Sequence, residues 1–298
     1  MKQLVKYILY IFIGVTVIDL AYRLVCDYFY QHPKKDSFIL ENYTFIHCNT
    51  PYQCVILGAS SAKHSYVSQQ IEDSLNISTY NMGWNGRSVL YQYLSLMKAI
   101  KNGGLELAIL NLSTSQMRDN WVKDRISDLY PYYWHNDTIR EIVNEVEDRN
   151  MDILMCSSLI QFNSKLDNML RSEKSVKGYI PIPYSGKPAK VNSTATLNKG
   201  KKDFNLIAVK YFQEMAKECE KNKVRFIVCL SPSLDTTETE IAILKDLCDS
   251  SNVEMWNMVH VIRDPYLFKD GDHLNEKGAE LFTQMFIETF SSNSLMNK

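Results

Sequence analysis

The segment QCVILGASSAKHS, residues 53–65, indicates the fold class. Residues 54–57 are apolar without alternation, which is typical of a parallel strand buried on both faces of a sheet. Gly58 interrupts the run, and a polar turn leads into a helix that we predict to reach about residue 74. Ser60 therefore lies just after a strand, at the turn into a helix.

Further strand and helix patterns alternate along the chain. Short strands are predicted within STYNMGWNGRS (78–88), LELAILNLS (105–113), VRFIVCLSP (224–232) and VEMWNM (253–258). Helical periodicity is present at about residues 89–100, 203–222, 236–250 and 275–290. Strands that alternate with helices predict an α/β fold, in which helices cover both faces of a central parallel sheet.

Residues 117–200 interrupt this alternation. They contain aromatic turns, amphipathic helical stretches near 137–148 and 151–171, and a loop, but no strand run of their own. We therefore predict one α/β domain at residues 51–298 with an insertion at about 117–200. A polar connector at residues 31–50 precedes that domain.

Residues 1–30 form a predicted transmembrane anchor. Residues 7–18 carry no charge, and the helical rise gives the whole segment enough length to cross a bilayer. Asp19 and Arg23 are four residues apart, so on a helix they share one face and can pair. Two lysines near the start would also suit a signal peptide, but no small-x-small cleavage site follows the apolar run. A retained anchor is therefore favoured over a cleaved signal or a buried core helix.

Composition excludes some classes of function. The chain has 298 residues, 33 Lys plus Arg against 34 Asp plus Glu, and a net charge of −1. Such a balance, without a basic stripe, gives no electrostatic footprint for nucleic acid. The seven cysteines show no spacing typical of a zinc site, so we expect no metal.

The chemistry is predicted at the carboxyl ends of the strands, where parallel sheets carry their functional sites. Ser60 lies at such an end. In FKDGDHLNEKGAELF, residues 268–282, His273 follows Asp270 by three residues and precedes the last helix. A carboxylate beside an imidazole fixes the tautomer of the ring, while its other nitrogen takes the proton of a serine. Separately, the two motifs also suit an ordinary turn and a helix cap; together they favour a serine nucleophile and its base.

These motifs resemble those of the SGNH (GDSL-like) hydrolase superfamily. Gly58-Ala59-Ser60 stands where the family has Gly-Asp-Ser, and Asp270-Gly271-Asp272-His273 matches its Asp-x-x-His. The resemblance implies a flavodoxin-like three-layer sandwich with Ser60 as nucleophile, His273 as base and Asp270 as the orienting carboxylate, with Asp272 as an alternative. It implies no metal or organic cofactor.

The resemblance also implies an oxyanion hole. The backbone N–H of Ser60 is one donor, and the family's second block matches Asn81–Gly86, so that Gly86 is the first choice for another donor and Gly83 the second. The family's Gly-x-Asn-Asp block is missing, and Ser115 stands where its asparagine belongs, with Gln116 as the nearest amide. Loss of one such donor typically costs on the order of a hundred- to a thousand-fold in rate.

An amino-terminal anchor with a large insertion is similar to envelope branches of this superfamily, which are linked to alginate acetylation and lipoteichoic-acid D-alanylation. This implies an esterase or O-acyltransferase that acts on an envelope polysaccharide, outside the cytoplasmic membrane of a bacterium. The alternative is a catalytically degenerate protein that binds glycan or a membrane acyltransferase partner. Aromatic side chains of the insertion either stack on sugars or fill its core: Tyr130, Tyr132, Tyr133, Trp134, Tyr179 and Tyr184.

Overall fold

The computed structural model describes residues 1–32, 49–162, 175–190 and 204–296. These residues belong to two compact units. The smaller unit contains residues 1–32 and 126–162, and the larger, α/β unit contains residues 49–125, 175–190 and 204–296. The described residues 126–162 and 175–190, both within the stretch predicted as an insertion, thus fall in different units.

The helices and strands are numbered in chain order. The first half contains α1 (Lys2–Gln31), β1 (Cys54–Gly58), α2 (Ser60–Ser65), α3 (Ser68–Leu75), β2 (Thr79–Asn81), α4 (Val89–Asn102), β3 (Leu107–Asn111), α5 (Asp119–Asp124) and α6 (Asp137–Val146). The second half contains α7 (Asp152–Met155), α8 (Ser158–Phe162), α9 (Leu206–Lys221), β4 (Arg225–Leu230), α10 (Glu238–Ser250), β5 (Glu254–Asn257) and α11 (Glu276–Met296). Short 3₁₀ helices lie at Thr114–Met117, Ile126–Tyr132 and Pro265–Leu267.

The five strands of the α/β unit form one parallel sheet in the order β2-β1-β3-β4-β5. This is the flavodoxin-like order, in which the chain reverses direction across the sheet beside β1. The predicted α/β fold with a central parallel sheet is therefore confirmed. Gly58 pairs with Asn111, so the carboxyl ends of β1 and β3 are level at the same edge.

Both faces of the sheet are buried. Ile56, Ile109 and Ile227 lie in the main core cluster together with Phe282 and Phe286 of α11. The alternate strand residues Val55, Ala108 and Val228 are also fully buried. The unalternating apolar runs in the sequence reflect this double coverage, because every residue of a strand inside a three-layer sandwich loses contact with water.

The helix predicted to continue from Ser60 to about residue 74 is broken. Tyr66 adopts an extended conformation between α2 and α3. Thr283 of α11 holds the break, because its hydroxyl accepts a hydrogen bond from Val67 N–H at 3.0 Å and donates one to the Ser65 carbonyl at 3.2 Å. The Asn81 amide also donates to the Tyr66 carbonyl. The backbone N–H and carbonyl groups at the break thus form hydrogen bonds with residues that are distant along the chain. In a continuous helix, the same groups would bond to residues one turn away.

Residues 175–190, called here the edge segment, cover the outer side of β2. Asn81 N–H donates to the Lys177 carbonyl at 2.9 Å, and Lys177 also forms an ion pair with Glu72. Gly178 has a φ of +83°, and a Cβ there would collide with the Asn81 carbonyl oxygen. Further along, the Ile182 carbonyl accepts a hydrogen bond from Glu276 N–H at the start of α11.

In the smaller unit, α1 is long and apolar enough over Lys2–Phe29 to cross a membrane, although a signal sequence near an amino terminus has the same properties. Asp19 and Arg23, which were predicted to pair with each other, both bind the turn that leads into α8. The Asp19 carboxylate accepts from Leu159 N–H at 3.0 Å, and the Arg23 guanidinium donates to the Cys156 carbonyl at 2.9 Å. The predicted helix at 151–171 is two short helices, α7 and α8, as far as residue 162; the rest of it lies outside the described residues.

Candidate active site

Ser60 is presented by the turn that ends β1. Gly58 has a φ of +145°, and a Cβ there would lie 2.6 Å from the Ala62 Cβ and 2.7 Å from the Asn111 carbonyl oxygen. Only glycine fits this turn without displacing β3. Ser60 is the first residue of α2 and is partly exposed, so its hydroxyl is directed away from the sheet core.

Gln92, which the sequence analysis did not single out, holds this turn from α4. Its side-chain oxygen accepts from Gly58 N–H at 2.9 Å, and its amide donates to the Gly58 carbonyl at 2.8 Å. Gln92 is buried, so both hydrogen bonds are shielded from water. A buried glutamine within an apolar helix face was the available signal, since a buried amide needs a partner.

His273 lies between Ser60 and Asp270. The distance from Ser60 Oγ to His273 Nε2 is 2.7 Å, and that from His273 Nδ1 to Asp270 Oδ1 is 2.8 Å. A carboxylate only accepts, so Nδ1 carries the proton and Nε2 is left to accept the serine hydroxyl proton. Ser60, which precedes His273 by 213 residues in the sequence, is thus in one hydrogen-bonded line with His273 and Asp270.

The loop around Asp270 fixes this carboxylate. Its Oδ1 atom also accepts from the backbone N–H groups of Asp272 and His273, both at 3.0 Å. Asp272, the alternative carboxylate, is instead bonded through Oδ1 to the Ser233 hydroxyl at 2.9 Å. The geometry therefore favours Asp270 as the residue that orients the imidazole.

The pKa values of the pair shift in opposite directions. Burial by itself would lower the pKa of His273, but the hydrogen bond and the charge of Asp270, helped by the charge of Asp272, raise it above 6.5. Burial by itself would raise the pKa of Asp270, but hydrogen bonds from His273 and from Asp272 N–H lower it below its ordinary value. The pair thus favours an ionised carboxylate and a more basic imidazole, as a general base requires.

Ser60 and His273 line a cavity of about 330 Å³ in the α/β unit. Hydroxyl groups are abundant on its wall: Ser61, Ser113, Thr114, Ser115, Ser231, Ser233 and Thr236. Apolar side chains make up another part: Ala59, Leu112, Trp121, Leu230, Leu244 and Val259. Asn111, Asp272, Arg118 and Glu240 also line the wall. Arg118 and Glu240 form an ion pair at 3.8 Å, and the Glu240 carboxylate also accepts from the Thr114 hydroxyl at 2.8 Å.

The residues predicted to form the oxyanion hole differ in whether they line the cavity. Ser115 lines the cavity, and its hydroxyl lies 2.7 Å from that of Ser113. Gly86 has a φ of +68° and lies beside the Arg125 guanidinium, and it is not among the residues that line the cavity. The N–H group of Gly83 donates a hydrogen bond to the Oδ1 atom of Asn81 at 2.9 Å. The donor roles of Ser60 N–H, Gly86 and Ser115 remain predictions.

Two amides lie near the end of β3. Gln116 is fully buried, and its amide donates to the Asn111 carbonyl at 3.2 Å, so it is held inside the protein. Asn111 itself lines the cavity, and its amide donates to the Ser231 hydroxyl at 2.6 Å. Asn111 was not predicted as a site residue. The available signal was its polar side chain at the end of an otherwise apolar strand.

His64 of α2 lies beside the Ser60–His273 site. Its ring meets the His273 ring edge to face, with 6.1 Å between the ring centroids. Its Nδ1 atom donates to the Ile180 carbonyl of the edge segment at 2.7 Å. His64 therefore packs against the His273 ring while its own ring is held by the Ile180 carbonyl.

The aromatic residues predicted either to stack on sugars or to fill the core have mostly the second role. Four are buried: Tyr130, Tyr132, Tyr133 and Tyr179. Trp134 is 41% exposed and Tyr184 is 37% exposed. None of the six lines the cavity that contains Ser60, whereas Trp121, which was not among them, does.

Comparisons with known proteins give structural matches only. No protein-family model and no curated protein matches the sequence. Among solved structures, the chain is similar to a GDSL-like lipase from Bacteroides thetaiotaomicron VPI-5482, with 11% identity and a TM-score of 0.37 over 79% of this chain and 87% of that one. It is also similar to an acetyl xylan esterase, AlAXEase, with 11% identity and a TM-score of 0.41 over 79% of this chain and 98% of that one.

At such TM-scores the likeness carries no conclusion about activity. The arrangement of the chain itself is more informative. A flavodoxin-like parallel sheet carries the Gly58-Ala59-Ser60 turn at the end of its first strand, and the Asp270–His273 motif directly before its last helix faces that turn. With these features the chain has the fold of the SGNH (GDSL-like) hydrolases.

Proposed function

We propose that this protein is a membrane-anchored serine esterase or O-acyltransferase that acts on short acyl esters of an envelope glycan. One observation carries the proposal: Ser60 Oγ, His273 and Asp270 form a continuous hydrogen-bonded line at the wall of a cavity, with distances of 2.7 and 2.8 Å. The raised pKa of His273 and the lowered pKa of Asp270 suit the general base and its orienting carboxylate.

The chemistry follows from these contacts. Ser60 Oγ attacks the acyl carbonyl carbon while its proton passes to His273 Nε2, and the resulting imidazolium is stabilised by Asp270. Collapse of the tetrahedral intermediate breaks the ester C–O bond, and His273 returns the proton to the departing alcohol oxygen. The acyl group is then transferred from Ser60 to a second nucleophile. Attack by water releases a carboxylic acid, so that the protein acts as an esterase, whereas attack by a sugar hydroxyl forms a new ester, so that it acts as a transferase.

The size and the lining of the cavity favour a substrate that combines a short acyl group with a sugar. Its volume of about 330 Å³ lies at the small end of the roughly 300–1,000 Å³ typical of ligand sites. Leu230, Leu244 and Val259 offer a small apolar surface for an acyl methyl group. Hydroxyl side chains and the indole of Trp121 suit a polyhydroxylated ring, since an aromatic face packs on the C–H face of a sugar.

The envelope location is part of the proposal. The apolar α1 supports a membrane anchor, and we place the α/β unit outside the cytoplasmic membrane of a bacterium, where polymer-bound esters would be accessible. A membrane acyltransferase partner that supplies acyl groups is compatible with the transferase form of the reaction.

A second function is favoured by one observation. At the position of the family's oxyanion asparagine stands Ser115, whose hydroxyl lies within hydrogen-bond distance of Ser113. A site without that amide would stabilise the oxyanion less. The alternative is therefore a catalytically degenerate protein that uses the same cavity to bind glycan.

The test uses an activity-based fluorophosphonate probe on the full chain in detergent. We expect the wild type to be labelled, and Ser60→Ala and His273→Ala to remain unlabelled although folded. Ser61→Ala is the matched control, because Ser61 is the adjacent serine and lines the same cavity. Labelling that persists in Ser60→Ala would contradict the assignment, and absence of labelling in folded wild type would favour the binding function.

A further inference from the structure

The charge-free part of α1 is too short to cross a bilayer alone. Residues 7–18 are twelve residues, which at the helical rise extend about 18 Å, whereas the hydrocarbon core is about 30 Å thick. The exposed apolar surface continues past this run, with Leu20 55% exposed and Leu24 73% exposed. A full span therefore takes in Asp19 and Arg23, if the anchor of the proposed function is correct.

Asp19 cannot reach the headgroups from such a position, because its side chain is short. It is instead satisfied by the start of α8. Its two carboxylate oxygens accept from the Ser157 hydroxyl at 2.8 Å, from Ser158 N–H and the Ser158 hydroxyl at 3.0 Å, and from Leu159 N–H at 3.0 Å. Four donors replace the water that an aspartate would lose in lipid.

Arg23 is satisfied by the same turn. Its Nε atom donates to the Ser158 hydroxyl at 3.1 Å and its Nη2 atom to the Cys156 carbonyl at 2.9 Å. Tyr22 adds an edge-to-face contact with Phe162, with 6.4 Å between the ring centroids. The turn 156–159 thus lies at the same level along α1 as the two charged residues.

Three apolar side chains of α7 and α8 are exposed. Ile153 is 87% exposed, Leu159 is 46% exposed and Ile160 is 39% exposed. These side chains are carried by the same short helices that satisfy Asp19 and Arg23, and the neighbouring surface of α1 is apolar as well. Exposed apolar side chains next to a membrane-spanning helix continue its lipid-facing surface.

We propose that residues 151–162, called here the wedge, insert into the same bilayer as α1 and shield Asp19 and Arg23 from lipid. The partner of this surface is the lipid bilayer, with Ile153, Leu159 and Ile160 in contact with acyl chains. Backbone that is not helical is tolerated at such depth only where protein covers it, and the turn 156–159 is covered by its bonds to α1. The inference rests on the membrane anchor and not on the catalytic function.

The test measures depth in liposomes. In the full chain, Cys48 and Cys156 are replaced by serine, and single cysteines at Ile153→Cys, Leu159→Cys, Ile11→Cys or Lys245→Cys are labelled with the fluorophore NBD. Emission is compared in vesicles with and without lipids that carry a doxyl quencher high on the acyl chain. Lys245 is the exposed control on α10 of the α/β unit, and Ile11 reports the anchor.

We expect NBD at Ile153→Cys and Leu159→Cys to lose emission with the doxyl lipid, as NBD at Ile11→Cys does, while emission at Lys245→Cys is unchanged. Quenching at Ile11→Cys without quenching at positions 153 and 159 would overturn the wedge and leave the anchor intact. No quenching at any position would overturn the wedge together with the anchor, and fluorophosphonate labelling of Ser60 would be unaffected by either result.

Discussion

In the proposed reaction, Asp270 sets the pH range in which His273 can act as a base. Because the carboxylate raises the pKa of His273 above 6.5, the neutral imidazole that accepts the Ser60 proton forms only above that raised value. The same shift stabilises the fold at pH values below 6.5, and this contribution is lost as the pH rises through the raised pKa. Activity and this part of the stability therefore change in opposite directions with pH.

We expect Asp270→Asn to lower activity by roughly 10²- to 10⁴-fold, since an amide can also donate to Nδ1 and then no longer holds the tautomer in which Nε2 is free to accept the serine proton. The acid limb of the remaining activity should move to lower pH, because burial then dominates the pKa of His273. Rates of fluorophosphonate labelling between pH 5 and 9 check this. Asp272→Asn is the control, since Asp272 is bonded to Ser233. A larger shift of the acid limb in Asp272→Asn than in Asp270→Asn would contradict the assignment.

Trp121, which lines the cavity, is expected to contribute to sugar binding in the proposed function. If the indole carries a sugar ring, Trp121→Ala should raise KM for an acetylated oligosaccharide by about tenfold while KM for a small aryl acetate stays near that of the wild type. Steady-state kinetics with both substrates separate the two effects. Trp134→Ala, at an exposed position outside the cavity, is the control. Equal changes for both substrates would show that Trp121 only supports the cavity wall.

At the scale of elements, the break between α2 and α3 depends on α11. Thr283 is fully buried and bonds both Ser65 and Val67 across this break. Thr283→Val keeps the shape of the side chain but leaves two backbone groups without partners, which should lower the free energy of unfolding by about 1–3 kcal/mol. Urea unfolding monitored by circular dichroism measures the change.

Thr289→Val on the same helix is the matched control, because the Thr289 hydroxyl donates to the Met285 carbonyl one turn earlier, within the helix itself. It should leave the unfolding midpoint nearly unchanged. If Thr283→Val and Thr289→Val are equally stable, the hydrogen bonds across the break do not hold the two short helices in place.

The elements also show what the sequence could predict. Strands β1, β3 and β4 were predictable because burial on both faces removes polar residues from them. The proximity of Ser60, Asp270 and His273 was predictable because each lies in a short local motif beside an element boundary. The break at Tyr66 and the clamp of Gln92 on Gly58 were not, because each depends on a partner that is distant along the chain and carries no local pattern.

At the scale of the whole molecule, α1 and the turn that leads into α8 belong to one unit, and Ser60, Asp270 and His273 belong to the other. Asp19→Leu removes the acceptor of four hydrogen bonds in the smaller unit. We expect it to increase proteolysis within residues 151–162 in liposomes, whereas labelling of Ser60 by fluorophosphonate stays at the wild-type level. Mass spectrometry of the fragments locates the cleavage.

Asp27→Leu is the control for this experiment, because it removes an aspartate from the same helix two turns later. Cleavage that increases equally in both variants would show that any change of charge on α1 disturbs the unit. Loss of Ser60 labelling in Asp19→Leu alone would show that the α/β unit depends on the smaller unit for its fold.

The edge segment has a consequence for self-association. β2 is one of the two outermost strands of the sheet, and an uncovered outer strand is a template on which other chains add strands and aggregate. In this protein the Asn81 N–H of β2 already donates a hydrogen bond to the Lys177 carbonyl. Gly178 lies so close to the Asn81 backbone that a Cβ at position 178 would collide with it. A side chain at position 178 would lift the segment and open that template, so the first defect of such a variant would be fibrous or amorphous association of its copies rather than a loss of chemistry at Ser60.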